Sequence, residues 1–162
     1  WIRDGITLPP LILGGEQEGG LRGGTVAPAL CAGFGAAASV AAKRMAEDAA
    51  HVAHLWDVAR AEMADWTING SVAQRYKGNF NIRREGVNTA RLLSDAREVA
   101  FSLGSACASG SGRTSHVLRA CGLSEVQARG SIRLGWGRYT REQDLRTGLS
   151  AIKAAAAAQE AS

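Results

Sequence analysis

The sequence predicts an α/β fold in which a few short, mostly antiparallel strands pack against helices. Three observations lead there. Residues 27–64 carry apolar side chains at three- and four-residue spacing, the period of one long helix. Four short runs at 66–68, 80–82, 98–102 and 131–136 have strand character and are separated by helical patterns or turn dipeptides. Glycine is abundant, 20 of 162 residues, against a norm of about 7%, and much of it gathers in two segments, 14–24 and 104–112. A chain of this length can bury a real core.

In chain order, Pro9-Pro10 forbids a helix, and Leu11-Ile12-Leu13 is expected to form a brief strand before Gly14-Gly15. Pro28 suits the first turn of the long helix. Leu30, Phe34, Ala37, Ala41, Met45, Val52, Leu55, Trp56, Ala59 and Met63 form its apolar stripe, and Gly33 and Gly35 are expected to bend or loosen its start. At 1.5 Å per residue the helix is about 55 Å long, enough to connect two domains. Cys31, in its first turn, is expected to be buried. His51 and His54 are expected on a solvated face.

Trp66–Ile68 reads as a strand ended by Asn69-Gly70, a turn dipeptide. Phe80–Ile82 is a second strand, and 87–96 a short helix with Asn88 as a candidate N-cap. Glu98–Ser102 should be a third strand. A helix follows over 113–123, capped by Thr114 or Ser115 and stopped by Gly122; Cys121 at its end is expected to be structural. Ser124-x-x-Gln127 is a capping-box pattern. In Ser131–Trp136 alternation puts Ile132, Leu134 and Trp136 on one face and Arg133 on the other. Thr140 is the expected N-cap of a last helix through Leu145, Leu149 and Ile152, fraying from Ala154 onward.

Composition narrows the function. The net charge is +4, with Arg far outnumbering Lys. The arginines are scattered, apart from the pair Arg83-Arg84. No basic stripe interleaved with aromatics is present, so no nucleic-acid partner is expected. No apolar run reaches the ~18 residues of a membrane span, and no secretory signal is visible. Three cysteines, Cys31, Cys107 and Cys121, form no CxxC pair, so no metal site is expected. Free thiols fit a reducing cytoplasm.

From Gly104 to Gly112 every residue except Cys107 is Gly, Ala or Ser. Such a segment has no bulk for a core. Half of it can carry a thiol on the order of 10 Å, at up to about 3.3–3.6 Å per residue. The Gly19–Thr25 segment can bring backbone N–H groups close to an anion, and Thr25 adds a hydroxyl.

Four blocks together resemble one family. They are Gly14-Gly-Glu-Gln-Glu-Gly-Gly-Leu-Arg-Gly-Gly-Thr25, Gly104-Ser-Ala-Cys-Ala-Ser-Gly-Ser, Ser115-His-Val-Leu-Arg-Ala-Cys-Gly-Leu-Ser124 and Gly130-Ser-Ile-Arg-Leu-Gly-Trp-Gly-Arg-Tyr-Thr140. In this order and spacing they resemble the C-terminal part of a cysteine desulfurase of the class V aminotransferase type, from the branch with a long mobile cysteine loop. The resemblance implies the small domain of a fold-type I transferase dependent on pyridoxal 5'-phosphate (PLP), with the end of the large domain. It divides the chain into residues 1–26 (end of the large domain and glycine-rich loop), 27–64 (connecting helix) and 65–162 (small domain with catalytic loop 103–112). Trp1–Gly5 resembles the end of the strand that follows the PLP-bearing lysine. Lys43, Lys77 and Lys153 lack that lysine's Ser-x-His-Lys context. It is therefore expected upstream, and this fragment alone is expected to be inactive.

The resemblance also implies roles. Cys107 would take sulfur from L-cysteine as a persulfide, leaving L-alanine, for iron–sulfur cluster or thio-cofactor synthesis. Arg133 would grip the substrate carboxylate. Thr25 would reach the PLP phosphate of the partner subunit in a homodimer. A sulfur-acceptor or scaffold protein would collect the sulfur. His116, beside the cysteine loop, is given no catalytic role. Arg83-Arg84-Glu85 departs from the small or aromatic residue usual after the second strand, which leaves that strand's length and edge open. The competing readings are a PLP-free persulfide carrier or docking module, and a related class V enzyme such as a selenocysteine lyase or transaminase.

Overall fold

The computed structural model describes residues 2–104 and 114–160. The chain divides into two compact units, 1–45 and 46–162.

The first unit is a glycine-rich loop followed by the start of a long helix, α1 (Pro28–Glu62). The strand expected at 11–13 does not form. The Ile12 carbonyl instead accepts a hydrogen bond from the Gly23 N–H at 2.7 Å, closing the loop on itself. Leu11 and Leu13 are exposed. A short 3-10 turn spans Gln17–Gly20. Helix α1 starts at Pro28, which has no N–H to leave unsatisfied, and runs unbroken through Gly33 and Gly35. Leu30, Phe34 and Met45 are exposed, not buried as their spacing predicts. Among the described residues the first unit has no sheet or second long helix to cover that stripe. Cys31 is exposed for the same reason.

The second unit holds the core. Strands β1 (Thr67–Ile68), β2 (Asn79–Arg83), β3 (Ser102–Leu103) and β4 (Ser131–Gly135) form an antiparallel sheet in the order β1-β2-β4-β3. Register pairs Phe80 with Leu134, and Ile82 with both Ile68 and Ile132. One face of the sheet is therefore apolar. It shares its core with Val52, Leu55, Trp56 and Ala59 of α1 and with Leu145, Leu149, Ile152 and Ala156 of the last helix, α5 (Glu142–Glu160). Phe80 sits between two indoles, edge-on to Trp56 at 5.3 Å and tilted to Trp136 at 5.8 Å, a geometry that favours the ring quadrupoles.

Three short helices complete the unit: α2 (Thr89–Asp95), α3 (His116–Ala120) and α4 (Glu125–Arg129). Asn88 caps α2 through the Arg91 N–H, and Ser115, not Thr114, caps α3. The Ser124–Gln127 capping box forms as expected. Gly122, at φ 87°, ends the α3 turn, and Cys121 beside it is exposed.

Other expectations shift. The strand of 98–102 shrinks to Ser102–Leu103, because the Val99 N–H bonds back to the Ala96 carbonyl in a turn. Val99 and Phe101 pack against the core without joining the ladder. Thr140 does not cap α5: its hydroxyl accepts from the Gly137 N–H at 3.2 Å, and the helix begins at Glu142. The alanine-rich tail does not fray from Ala154. Ala156 is fully buried, and Gln159 bonds both backbone groups of Asn88. Arg83 and Arg84 also find places. Arg83 ends β2, an interior strand, and Arg84 bridges Asp65 at 2.8 Å and Glu160 at 2.9 Å.

The histidines of α1 clasp the start of α5. His51 Nε2 lies 2.9 Å from the Thr140 carbonyl, and His54 Nε2 2.7 Å from Glu142. Arg146 holds Glu142 from the other side and also pairs with Glu62. The hydrogen bonds from His54 and then Arg146 hold the Glu142 carboxyl below its ordinary 4.5. A folded-state value below the unfolded one gives stability that is present above pH 4.5 and lost as pH falls toward the depressed value. In acid titrations followed by circular dichroism, the stability gap between wild type and Glu142→Gln should close as pH drops below that point. A gap constant through that range would refute the clasp. Leu149→Ala, at a fully buried site, should cost about 2–5 kcal/mol in denaturant unfolding.

Candidate functional site

The sheet's second face is polar. Side chains alternate along each strand, so the register that sends Ile132 and Leu134 into the core sends Ser131, Arg133 and Gly135 the other way. Thr67, Asn79, Asn81, Arg83 and Ser102 share that second face. Among the described residues, these strand positions include two arginines and no acid. Arg133 is exposed, as its strand pattern predicts, and lies directly opposite Asn81 on β2 and Ser102 on β3. Side chains so paired have Cβ atoms about 4.5–5.5 Å apart. Asn69, just past β1, extends the row: its N–H donates to the Asn81 carbonyl at 2.9 Å.

A hydrogen-bond chain orders this face. Arg83 donates to Asn69 Oδ1. Asn69 Nδ2 donates to Asn81 Oδ1 at 2.7 Å and to Ser131 Oγ at 2.9 Å. The Ser131 hydroxyl donates on to the Gln127 carbonyl at 2.7 Å, tying the sheet to α4. Asn69 and Ser131 are buried, where an unmet polar group is costly.

The cysteine loop departs from this sheet. Leu103, where the expected loop 103–112 begins, still belongs to β3, and Gly104 after it donates its N–H to the Ser131 carbonyl at 2.8 Å. A Cβ there would lie 2.8 Å from the Ala128 carbonyl oxygen and 2.9 Å from Leu118 Cδ1, so the position has room only for glycine. Gly104 and Thr114, on either side of 105–113, both line an open cavity of ≈820 Å³ whose walls include Arg83, Thr89 and Gln127. Arg133 is not among its lining residues. Cys107 lies outside the described residues. His116 is exposed at the start of α3.

Thr25 belongs to the first unit and is exposed. Before it, Gly23 is buried so tightly that a Cβ would collide with the Gly14 carbonyl oxygen, and Gly24 has φ 85°. Among the described residues no cluster of His, Cys, Asp or Glu could hold a metal, and no helix is long and apolar enough to cross a membrane. The sequence marks Arg133 as a site residue but gives no site role to Asn69, read as a turn, to Ser102, read as the end of a strand, or to Asn81. The period-two pattern that places Arg133 also places Asn81, once the two strands are known to pair.

The fold matches part of solved NifS-like proteins. A solved NifS-like protein matches 95% of this chain and 40% of its own, with a TM-score of 0.79 at 25% identity. DndA from Streptomyces lividans matches 79% of this chain and 37% of its own, with a TM-score of 0.61 at 30% identity. No protein-family model matches. By sequence the chain is homologous to cysteine desulfurases. It is 41% identical over 144 residues to the cysteine desulfurase IscS of Rickettsia bellii, covering 86% of this chain and 35% of the relative. It is 42% identical over 147 residues to a probable mitochondrial cysteine desulfurase of Dictyostelium discoideum, covering 88% and 33%. The chain thus spans about a third of the length of these curated relatives.

Asn69 gives this face its order. Asn69→Ala removes three side-chain hydrogen bonds from a buried position and should cost about 1–3 kcal/mol of unfolding free energy, measured by denaturant titration.

Proposed function

We propose that this chain is the sulfur-accepting part of a cysteine desulfurase, with Cys107 as nucleophile and Arg133 as the grip on the substrate carboxylate. The observation that carries the reading is the pairing of Arg133 with Ser102 across β4 and β3. Ser102 stands two residues before Gly104, the root of the cysteine loop. Cys107 follows Gly104 by three positions, a span of at most about 11 Å. The sequence therefore roots the nucleophile close to the carboxylate grip. A guanidinium suits that grip because its N–H fork makes two parallel bonds to a carboxylate.

The chemistry assigned to Cys107 needs a thiolate, since a thiol with pKa near 8.5 is only a few per cent ionised at pH 7. The thiolate attacks the sulfur of L-cysteine. A sulfur–sulfur bond forms, the substrate carbon–sulfur bond breaks, and the carbon keeps the electron pair and takes a proton to leave as L-alanine. Cys107 then holds a persulfide for an acceptor or scaffold protein, serving iron–sulfur cluster or thio-cofactor assembly. PLP, when bound, supplies the electron sink that loosens the carbon–sulfur bond.

The residues present fit one edge of a PLP site. The exposed Thr25 hydroxyl, two residues after Gly23, which has no room for a side chain, and next to Gly24 at positive φ, suits a phosphate oxygen. The exposed Leu11, Leu13, Leu30 and Phe34 of the same unit support a homodimer in which Thr25 serves the partner's cofactor. The lysines do not fit cofactor attachment. Lys77 lies over the Trp56 ring and donates to the Val72 carbonyl, Lys153 donates to the Glu62 carbonyl, and Lys43 is on the exposed side of α1. The proposal leaves that lysine to the part of the desulfurases this chain does not span, and the chain alone without turnover.

Cys107→Ser in the full-length protein should lower L-alanine and sulfide formation from L-cysteine by on the order of 10²-fold or more, with PLP retained. Unchanged formation of L-alanine and sulfide would mean that sulfur leaves without the loop thiol and would overturn the assignment.

A further inference from the structure

Resting on the proposed carboxylate role of Arg133, we infer that Asn81 is a second substrate-binding residue, whose side-chain amide N–H donates to the same carboxylate. Donor and acceptor roles along the hydrogen-bond chain allow one arrangement. A guanidinium can only donate, so the atom of Asn69 that Arg83 meets must be its oxygen. The Asn69 NH₂ therefore faces Asn81 and Ser131. Ser131 can accept because its own proton goes to the Gln127 carbonyl. Asn81 must then present its oxygen to Asn69, which leaves the Asn81 NH₂ as a donor. Among the described residues that NH₂ has no acceptor, and neither has the guanidinium of Arg133.

Two unmatched donor groups thus stand side by side in a directly opposed strand pair, within about 5 Å at their Cβ atoms. Among the described residues, none of the strand positions that share this face is a carboxylate. A small external anion with two oxygens satisfies both donors, and an amino-acid carboxylate is that shape. Asn81 is half-buried, so its amide needs little ordering when the ligand arrives. Asn69 and Arg83 act as positioning residues that hold the amide in its donor orientation.

The test uses the full-length PLP-loaded protein and two probes, L-alanine and ethylamine, which is L-alanine without its carboxylate. Asn81→Ala should raise the dissociation constant of L-alanine on the order of ten-fold, the loss expected of one hydrogen bond to a charged group, and leave that of ethylamine unchanged. Asn81→Asp keeps shape and the acceptor that Asn69 needs, but turns the donor into a negative charge. It should weaken L-alanine more than Asn81→Ala does, and KM for L-cysteine should rise more than kcat falls. The same melting temperature as wild type in Asn81→Asp shows that the fold is kept. Arg133→Ala serves as the reference. If Arg133→Ala weakens L-alanine and neither Asn81 variant does, the Asn81 inference fails while the Arg133 reading stands. If Arg133→Ala has no effect, the carboxylate reading fails and takes Asn81 with it. Equal losses for L-alanine and ethylamine in the Asn81 variants would mean a structural role and would also overturn the inference.

Discussion

The alternation along β4 is the constraint on which the second unit depends. Ile132 and Leu134 must enter the core shared by α1 and α5, so Ser131 and Arg133 must face away. A shift of one residue in register would expose two large aliphatic side chains and bury an arginine. Burial of the apolar residues, each worth roughly 1.5–3 kcal/mol, thereby fixes where the guanidinium points. The same pairing sets Asn81 and Ser102 beside it. Stability and the candidate site are two faces of one strand register.

The polar face holds its order by a different means. Buried Asn69 and Ser131 would be liabilities if unpaired, yet each is bonded in a sequence that starts from a donor-only group and ends on a backbone carbonyl. Such a sequence has a direction: no amide in it can flip without leaving two donors or two acceptors in contact. This directionality separates a surface that is merely hydrophilic from one whose donors are aimed. It also gives Arg83 a defined place, as the donor from which the hydrogen-bond chain starts.

Much of this was legible in the sequence. The alternation in 131–136, the Asn88 and Ser124 caps and the lower half of the long helix depend on local chemistry, and the structure has them where local chemistry puts them. The errors lie where a distant partner decides. Leu30, Phe34 and Met45 have core-like spacing, but spacing does not supply a partner surface. The alanine tail looks ready to fray until Gln159 reaches Asn88, 71 residues away. The third strand is shortened by a turn at Ala96–Val99 that no strand propensity signals. The Asn69–Asn81 pairing was hidden for a related reason: it needs β1, β2 and β4 side by side, and their order cannot be read from one residue's neighbours.

Gly104 shows how far composition alone can mislead about a loop's root. A run of Gly, Ala and Ser suggests freedom of backbone angle. Gly104 instead has no positive φ to require glycine, and its lack of a side chain serves space, since a Cβ would press on the Ala128 carbonyl and on Leu118. Its N–H is bonded to Ser131, the residue whose side chain closes the hydrogen-bond chain from Arg83. The point from which the cysteine segment departs is therefore bonded to the same strand that carries Arg133. On the proposed reading, a thiolate at Cys107 gains from a fixed origin for its segment, because reach is useful only when measured from a defined place. The sheet supplies that origin through one backbone hydrogen bond and one missing methyl group.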